Sequence, residues 1–403
     1  MNVGIICEFD PLHRGHAHLL AQARAMGASA VVCAMSGSFT QRGSFAAVSK
    51  AARAEMAVRC GADLVLELPV LWAMATAERF AEGGVSLLAR TGVVDTLLFG
   101  SESGDLAALR AAAEGLDSPA FTRALRDRQE DGVTFAAARQ QALGTLSGVD
   151  ASLLAQPNNI LAVEYLRAIA RQRNGLNAAT IPRIGAGHDG PPEAGTSSAS
   201  HLRTLLGQGA VGEVCAFMPD DAADILRREV QAGRIADPAL CERAILYRLR
   251  TMSEADWRPY DQGGEGLYHR LYRAAQEGTS VAEVLAAAKT KRYPMARLRR
   301  MVLGAWLGLP EDVPPRMPYV RVLAANETGR ALLRQMRRGG APVLTKPADA
   351  AAPVLTKPAD AAALGGEAAS LLALESRCAD LRALACPRLE RPGGDMRATP
   401  LMV

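Results

Sequence analysis

The sequence predicts an α/β fold, in which a parallel sheet covered by helices is followed by a mainly helical C-terminal half. Two observations support this. In the first 200 residues or so, continuous apolar runs of strand length alternate with helical segments of about 12 residues, as in buried parallel strands joined by helices. From about residue 200 onward the strand signals fade, and helical segments end at Gly or Pro.

The elements of the first half follow one another in a regular order. The predicted strands are NVGIIC (2–7), ASAVVCAM (28–35), ADLVLELP (62–69), VDTLLFG (94–100) and, completing the sheet, AATIPRI (178–184). The predicted helices are HAHLLAQARAMG (16–27), KAARAEMAVRCG (50–61) and TAERFAEGGVSLLART (76–91), and the stretch 106–176 is expected to be helical.

A Gly/Pro/Ser-rich stretch, GAGHDGPPEAGTSSAS (185–200), marks the expected domain boundary. It divides the chain into residues 1–195, with the sheet, and residues 196–403, mainly helical. The segment APVLTKPADAA occurs at 341–351 and again at 352–362. Two copies are too few for a solenoid, so we interpret the repeat as a duplication in a tolerant loop.

Composition narrows the class of protein. Hydrophobic residues make up 49% of the chain and the net charge is a mild +4. The seven cysteines include no C-x-x-C pair, which argues against a zinc site or a disulfide framework and favours a reducing compartment. No signal peptide and no apolar run of 18 residues is evident. We therefore expect a soluble, cytoplasmic protein without a membrane partner.

The first strand is followed at once by an H-x-G-H motif, formed by His13, Gly15 and His16, with His18 close behind. Ligands of open α/β sheets bind at the carboxyl ends of the strands, where helix N-termini attract anions. Gly15 lets a phosphate approach the backbone, and the two histidines can donate to phosphate oxygens during displacement of pyrophosphate. The alternatives are a metal site, for which no third ligand is obvious, and purely structural histidines.

A second anion site is predicted in TSSASHLR (196–203). Ser198 and Ser200 precede Arg203 at an expected helix start, and a hydroxyl cap with an arginine one turn later suits a phosphate. An ordinary helix cap is the alternative. Together with the histidines, this segment is expected to form the other side of a triphosphate site.

These features resemble the H-x-G-H nucleotidyltransferase superfamily, whose Rossmann-like domain is related to the catalytic core of class I aminoacyl-tRNA synthetases. Within it, the chain is similar to the tRNA(Met) cytidine acetate ligase family over residues 1 to about 330. The similar segments, in order, are GIICEFDPLHRGH, MSGSFTQRG, ADLVLELP, AERFAEGGVSLL, FGSESG, PNNILAVEYLRAI, RIGAGHD and KTKRYPMARLRR.

The resemblance implies a ligase that converts acetate and ATP into acetyl-adenylate and then acetylates N4 of the wobble cytidine of elongator tRNA(Met). It implies that His13 and His16 act at the phosphates, and leaves Mg²⁺ as a possible companion of ATP with an unknown site. The implied ATP-binding stretch comprises Ile6, Cys7, Glu8, Phe9, Asp10, Pro11, Leu12, His13, Arg14, Gly15, His16, Ala17, His18 and Leu19.

Further ATP contacts implied by the resemblance are Gly100, Asn159 and Arg183, with Asn158 as the neighbour that could be confused with Asn159. A second group is placed near the acetate pocket or the approach of tRNA: Ser36, Gln41, Arg42, Lys50 and Arg53. For Lys50 and Arg53 we favour a solvated helix face. The family usually reads E-Y-N-P-F-H-N-G-H, so Asp10 adds a negative charge that is tolerable if it faces a metal or a cap.

The segment KTKRYPMARLRR (289–300) carries six positive residues in 12. Such a cluster neutralises phosphates, and its aromatic residue could stack on an unpaired loop base. An ordinary basic helix face is the alternative. The predicted tRNA-binding residues are Lys289, Lys291, Arg292, Tyr293, Arg297, Arg299 and Arg300.

Two other functions remain open from the residues alone. One is a small-molecule nucleotidyltransferase that adenylylates an acidic or phosphorylated metabolite, which would share the histidines but would not need a basic helical half. The other is a non-catalytic ATP- and RNA-binding protein, which the presence of both histidines disfavours.

Overall fold

The centre of the molecule is a mixed sheet, and the computed structural model describes it together with most of the chain. The described residues are 1–130, 135–146, 148–173, 175–184, 195–261, 266–314, 317–338, 343–344 and 366–403. Residues 185–194 of the predicted domain boundary lie outside them, as does the duplicated segment apart from residues 343–344. The boundary at residue 195 therefore stays a prediction.

The strands of the described residues form one large sheet and one small hairpin. They are β1 (Asn2–Cys7), β2 (Ala30–Ser36), β3 (Phe39–Thr40), β4 (Ser44–Phe45), β5 (Leu64–Leu68), β6 (Thr96–Ser101), β7 (Asn177–Pro182), β8 (Val320–Ala325), β9 (Val343–Leu344) and β10 (Leu401–Met402).

Helices connect these strands and make up most of the second half. They are α1 (Arg14–Ala25), α2 (Lys50–Arg59), α3 (Val70–Ala73), α4 (Ala77–Arg90), α5 (Leu106–Leu116), α6 (Pro119–Glu130), α7 (Phe135–Gly144), α8 (Pro157–Gln172), α9 (Ala199–Gly207), α10 (Val211–Cys215), α11 (Asp220–Gln231), α12 (Glu242–Thr251), α13 (Leu267–Glu277), α14 (Val281–Ala288), α15 (Met295–Leu307), α16 (Glu327–Arg338), α17 (Gly366–Ala383) and α18 (Gly394–Arg397).

The order of strands across the sheet fixes where a ligand can bind. It runs β10-β8-β5-β2-β1-β6-β7, with β9 beside β8. The strands β5, β2, β1, β6 and β7 are mutually parallel. From β1 the chain first builds outward through β2 and β5, then crosses to the other side of β1 to place β6. The carboxyl ends of β1 and β6 therefore form the topological switch point, where open sheets of this type hold their ligands.

Two apolar cores lie on opposite faces of the sheet. One packs Val3, Ile5 and Cys7 of β1 against α1, α2 and the helices α9 to α11. The other packs the second face against α4, α5 and α8 and continues into α12 to α15. Because β1 is buried on both sides, its residues are almost all apolar, which is why a run of such residues marked it in the sequence.

The predicted α/β class is confirmed, and the predicted strands of the first half match β1, β2, β5, β6 and β7 to within a few residues. The second half is mainly helical as expected, but it also contributes strands that the fading strand signals did not indicate. β8 pairs antiparallel with β5, and β10 pairs with β8, so the C-terminal half completes the edge of the N-terminal sheet. The hairpin of β3 and β4 within the loop 36–45 was also not predicted.

The helices of the described residues include none that is both long and apolar enough to cross a bilayer.

Candidate active site

The two histidines of the motif form a capping box at the start of the first helix. His13 is the N-cap of α1, and its Nδ1 accepts the N–H of Gly15 at 3.1 Å. His16 Nδ1 in turn accepts the N–H of His13 at 3.4 Å. A neutral imidazole whose Nδ1 accepts a hydrogen bond carries its proton on Nε2. The turn therefore fixes the tautomer of both rings and leaves two Nε2–H groups to donate to a ligand.

Both rings are held in the neutral form. They stack with their centroids 3.7 Å apart, so charging both would place two like charges in contact. Burial, reinforced by Arg183 and Arg203, lowers the pKa of His13 to about 3. Burial also lowers the pKa of His16, and His13 and the same two arginines add to the effect. At neutral pH the motif is thus a pair of uncharged donors.

The histidines open into a cleft at the switch point between β1 and β6. Its volume, counted together with the solvent at its open mouth, is about 530 Å³. The cleft is lined by His13, Gly15, His16, His18, Leu19, Gly100, Ile181, Pro182, Arg183, Ile184, Thr196 and Ser197. The structure therefore brings together residues from three widely separated parts of the chain, at the position where open α/β sheets bind ligands.

The far wall of the cleft is built by the end of β6. A side chain at Gly100 would have its Cβ 3.2 Å from Cγ of Arg183, so a glycine here keeps the floor of the cleft open. Arg183 Nη1 donates to Asn158 Oδ1 at 3.2 Å. Glu102 holds that asparagine through its side-chain amide at 2.6 Å. Burial lowers the pKa of Arg183, and Glu102 opposes this effect.

The structure distinguishes the two neighbouring asparagines. Asn159 is buried and its Oδ1 accepts the N–H of Ser103 at 3.1 Å, so its side chain supports the loop after β6. Asn158 is half-buried and contacts Arg183 at the cleft. An ATP contact by Asn159 remains a prediction, and the geometry makes Asn158 the better placed of the two. Glu102, which the sequence reasoning missed, caps the start of α8 by accepting both backbone N–H groups.

The segment 196–203 contributes a different hydroxyl from those predicted. Ser198 is the N-cap of α9, accepting the N–H of His201, and Ser200 Oγ lies 3.1 Å from its Oγ. Ser197 lines the cleft instead, and its buried Oγ has no hydrogen-bond partner within the described part of the chain. The sequence could have indicated this. Once Ser198 is used as the N-cap of α9, the hydroxyl of the adjacent Ser197 is the one left for a ligand.

Arg203 reaches the motif from the second segment. Its Nη1 donates to the backbone oxygen of Asp10 at 2.8 Å. The Asp10 carboxylate is buried and its Oδ1 accepts the N–H of Val48 at 3.3 Å. The added negative charge is thus used to hold the polypeptide just before α2. The phosphate role of Ser198, Ser200 and Arg203 stays a prediction.

Only part of the contiguous stretch from Ile6 to Leu19 faces the cleft. The members that line it are His13, Gly15, His16, His18 and Leu19. Cys7, Phe9 and Leu12 are buried in the apolar core, and Arg14 is exposed with its N–H bonded to the oxygen of Phe217. The core members support the turn from below with their side chains, and an ATP contact by Cys7, Phe9 and Leu12 stays a prediction.

The solvated helix face expected for Lys50 and Arg53 is also wrong. Arg53 is fully buried and its guanidinium donates to main-chain oxygens at the carboxyl edge of the sheet, those of Glu8, Ser36, Gly37 and Val48. Lys50 is buried between Glu67 at 2.5 Å and Asp395 at 2.9 Å. Both cations on α2 therefore hold the edge of the sheet together and do not face solvent.

The basic segment 289–300 divides into exposed and supporting residues. Lys289, Lys291, Arg292 and Arg299 are exposed. Arg297 pairs with the buried Asp261 at 2.9 Å, and Arg300 donates to the oxygen of Gln41 at 3.3 Å. Burial, with Arg297 adding to the effect, lowers the pKa of Arg300 to about 10. The exposed members remain the predicted contacts to tRNA phosphates.

Tyr293 does not present its ring for stacking on a base. It is only 7% exposed and belongs to the apolar core. The guanidinium carbons of Arg292 and Arg297 lie 5.9 Å and 5.4 Å from its ring centroid, a cation–π geometry. The tyrosine therefore positions the arginines around it, and the prediction that it stacks on a base is wrong.

No group of three or more His, Cys, Asp or Glu side chains in the described residues is placed to hold a metal ion.

Comparisons with known proteins identify the family of the chain. The family described as HIGH Nucleotidyl Transferase matches residues 1–391. A tRNA(Met) cytidine acetate ligase of Caldanaerobacter subterraneus subsp. tengcongensis is 35% identical over 359 residues, covering 86% of this chain and 88% of the relative. Another, of Syntrophotalea carbinolica, is 38% identical over 352 residues, covering 83% and 82%.

A solved structure shows the same fold throughout. The crystal structure of Thermotoga maritima TmcAL bound with alpha-thio ATP superposes with a TM-score of 0.89 at 30% identity, covering 100% of this chain and 99% of that one. The matching fold, the capped histidine pair and the similarity over most of both sequences lead to one conclusion. The chain belongs to the HIGH nucleotidyl transferase family and, within it, to the tRNA(Met) cytidine acetate ligases.

Proposed function

We propose that the protein uses ATP to activate acetate as acetyl-adenylate and transfers the acetyl group to N4 of the wobble cytidine, C34, of elongator tRNA(Met). The product is N4-acetylcytidine. The observation that carries this proposal is the pair of neutral Nε2–H donors that His13 and His16 hold at the switch point of the sheet. The names of the relatives, and the ATP analogue bound to the Thermotoga maritima protein, support it.

In the first step, an acetate oxygen attacks the α-phosphorus and pyrophosphate leaves. Negative charge grows on the phosphate oxygens, and fixed donors aimed at that charge stabilise the transition state. His13 and His16 can supply two such donors without changing their protonation state. Arg183 and Arg203 add a positive field, which also adds to the effect of burial in lowering the pKa of both histidines. No covalent intermediate with the protein is required.

In the second step, the exocyclic amine of the cytidine attacks the acetyl carbon and AMP leaves. This amine is a weak nucleophile because its lone pair is delocalised into the ring, so the mixed anhydride supplies the driving force. An anticodon loop is already single-stranded, and presenting its base costs little unpairing energy. We assign the loop backbone to the exposed cations Lys289, Lys291, Arg292 and Arg299.

The remaining assignments follow from this function. We propose that residues 1–195 bind ATP, that residues 196–403 contact the tRNA, and that the enzyme acts in the cytoplasm where tRNA is found. Any Mg²⁺ would be coordinated chiefly by the triphosphate, since no acidic cluster of the described residues offers a site for it.

The test is acetate-dependent exchange of labelled pyrophosphate into ATP. The wild-type protein should catalyse it, and His16→Ala should lower the rate by about 10²-fold or more, because one transition-state donor is lost. His269→Ala, which removes a surface histidine paired with Glu254, is the control and should leave exchange unchanged. Unaltered exchange in His16→Ala would remove the histidines from the mechanism.

The full reaction separates the alternatives. With labelled acetate, ATP and tRNA, mass spectrometry should find the acetyl group on one cytidine of the anticodon loop. A small-molecule nucleotidyltransferase would turn over without tRNA and leave the tRNA unlabelled. A non-catalytic ATP- and RNA-binding protein would release no pyrophosphate under any condition.

A further inference from the structure

The side chain of Glu8 follows directly after the end of β1. Side chains of a strand alternate between its two faces. Ile5 and Cys7 point into the core shared with α1 and α2. Ile6 packs on the opposite face, where a Cβ on Gly84 of α4 would lie 2.6 Å from its Cδ1. Glu8 follows Cys7 and continues this alternation, so it belongs to the same face as Ile6. That face packs against α4, α5 and α8 and continues into α12 to α15.

One oxygen of this carboxylate is fixed and the other is open. Glu8 Oε1 accepts the backbone N–H of Gln41 at 2.6 Å, and the Gln41 side chain is anchored in turn on the oxygen of Ala75 at 2.9 Å. Glu8 Oε2 makes no hydrogen bond to any residue that the structure describes, and the side chain is half-buried, so it is not sealed in the core. The carboxylate is therefore oriented by one atom and accessible through the other.

The same contact connects the carboxylate with the basic segment. The β3–β4 hairpin that contains Gln41 packs directly on α15. Gly43 has φ +73°, and a Cβ there would lie 2.6 Å from the backbone nitrogen of Arg300. Arg300 also donates to the oxygen of Gln41. Glu8 is not among the residues that line the histidine cleft. It lies between the turn of His13 and His16, which begins five residues later in the chain, and α15, which carries the exposed Arg299.

The surroundings suit a group that accepts a proton. Burial raises the pKa of Glu8, and Asp10 adds to this, whereas the N–H of Gln41, Arg203 and Arg53 oppose it. Cys7 and Tyr165 lie close enough to interact electrostatically with the carboxylate, and burial raises the pKa of both, so both stay neutral at pH 7. A carboxylate with a raised pKa is a stronger base than an ordinary one, which suits it to take a proton during the reaction.

We propose that Glu8 is the general base of the second step, and this rests on the function proposed above. As the cytidine N4 atom forms its bond to the acetyl carbon, the bond from that carbon to the AMP phosphate oxygen breaks and AMP leaves with the electron pair. The amine carries one proton too many at this stage. Glu8 Oε2 takes that proton and later releases it to water.

The discriminating variant is Glu8→Gln, because a glutamine can still accept the Gln41 N–H through its amide oxygen. The two steps are measured separately: acetate-dependent pyrophosphate exchange for the first, and single-turnover transfer from enzyme-bound acetyl-adenylate to tRNA for the second. Affinity for tRNA should stay within about twofold of wild type, and exchange should fall at least tenfold less than transfer does. Transfer should slow by about 10²- to 10⁴-fold, the usual contribution of a general base.

The pH profile gives a second readout that a structural role would not move. Wild-type transfer should rise with pH until Glu8 is ionised and then level off. The Glu8→Gln profile should be flat over the same range, and Glu8→Asp should recover part of the rate. Glu114→Gln, at an exposed carboxylate on α5, is the matched control and should transfer like wild type.

Three results would overturn the proposal. They are transfer by Glu8→Gln within about threefold of wild type, loss of exchange and transfer together, and loss of tRNA binding in this variant. Failure of the function itself has a different signature, because it would show as absent exchange or absent tRNA acetylation in the wild-type protein.

Discussion

At the scale of single residues, the site depends on hydrogen bonds that fix protons. His13 and His16 would be ordinary titrating side chains on an open surface. In this turn each Nδ1 atom accepts a hydrogen bond from a backbone N–H. Burial lowers the pKa of both rings, so they stay uncharged at neutral pH. The same contacts that begin α1 therefore determine which nitrogen can donate to a phosphate, and stability and chemistry share one set of atoms.

This has a consequence for stability against pH. The folded protein keeps His13 neutral down to about pH 3, whereas the unfolded chain protonates it below about pH 6.5. The unfolded state then binds more protons, so the free energy of unfolding falls as pH decreases through that window. His13→Asn keeps an N-cap acceptor but does not titrate. Between pH 7.5 and 5.5 it should lose about 1.4 kcal/mol less than wild type.

Urea unfolding at the two pH values measures this difference. Parallel losses in wild type and His13→Asn would show that His13 is protonated in the folded protein, contrary to the hydrogen bond that its Nδ1 accepts.

At the scale of elements, the same type of residue does different work according to where its helix packs. On α2, Arg53 is sealed against main-chain oxygens at the end of β1 and β2, whereas Arg59 on the same helix lies at the surface. On α15, Arg297 and Arg300 hold neighbouring elements, and Arg299 between them is exposed. A count of positive residues in a segment therefore overstates its capacity to bind nucleic acid.

The basic segment can be tested on that distinction. Lys291→Ala together with Arg299→Ala removes two exposed cations without breaking a buried pair. Affinity for tRNA should fall, and the slope of log K against log salt should decrease in magnitude by about 1.5, since each phosphate contact contributes roughly 0.7 to 0.9. Binding measured by filter retention at several salt concentrations gives the slope.

ATP affinity is the internal control and should not change, because neither residue lines the cleft. Arg297→Ala is the contrasting variant: it leaves Asp261 buried without its partner, so its main effect should be on stability. An unchanged salt slope in the double variant would exclude both exposed residues from the interface.

At the scale of the whole molecule, the last residues of the chain close the edge of the sheet. Asp395 on α18 reaches Lys50 of α2 at 2.9 Å and Arg321 of β8 at 2.7 Å. Glu67 of β5 completes the cluster, accepting from both cations. Burial alone would raise the pKa of Asp395, but the two cations hold it at about 2. The N-terminal sheet and the C-terminal tail are thus joined through buried ion pairs.

Asp395→Ala should therefore cost about 3 to 5 kcal/mol of unfolding free energy, because it leaves two buried cations short of a partner. Asp224→Ala, which breaks an exposed pair with Arg227, is the control and should cost less than about 1 kcal/mol. Urea unfolding of both variants checks the difference. Equal losses would mean that the cluster adds nothing beyond a surface pair.

Several features could be predicted because their causes are local. The strands β1, β2, β5 and β6 are apolar along most of their length, so the sequence marks them without knowledge of their partners. β8 is just as buried, but it stands alone among helices, and its partner β5 lies some 250 residues earlier in the chain. The residues of β8 alone do not indicate that it pairs with β5.

The sequence by itself determined the α/β order, the position of the capped histidine turn and its resemblance to one family, because apolar periodicity, helix capping and short motifs act between neighbouring residues. Only the tertiary structure decided that Ser197 faces the cleft beside Arg183, that Arg53 is buried and that Tyr293 is covered. Those outcomes depend on which distant segments pack together, and long-range packing is set by the whole chain at once.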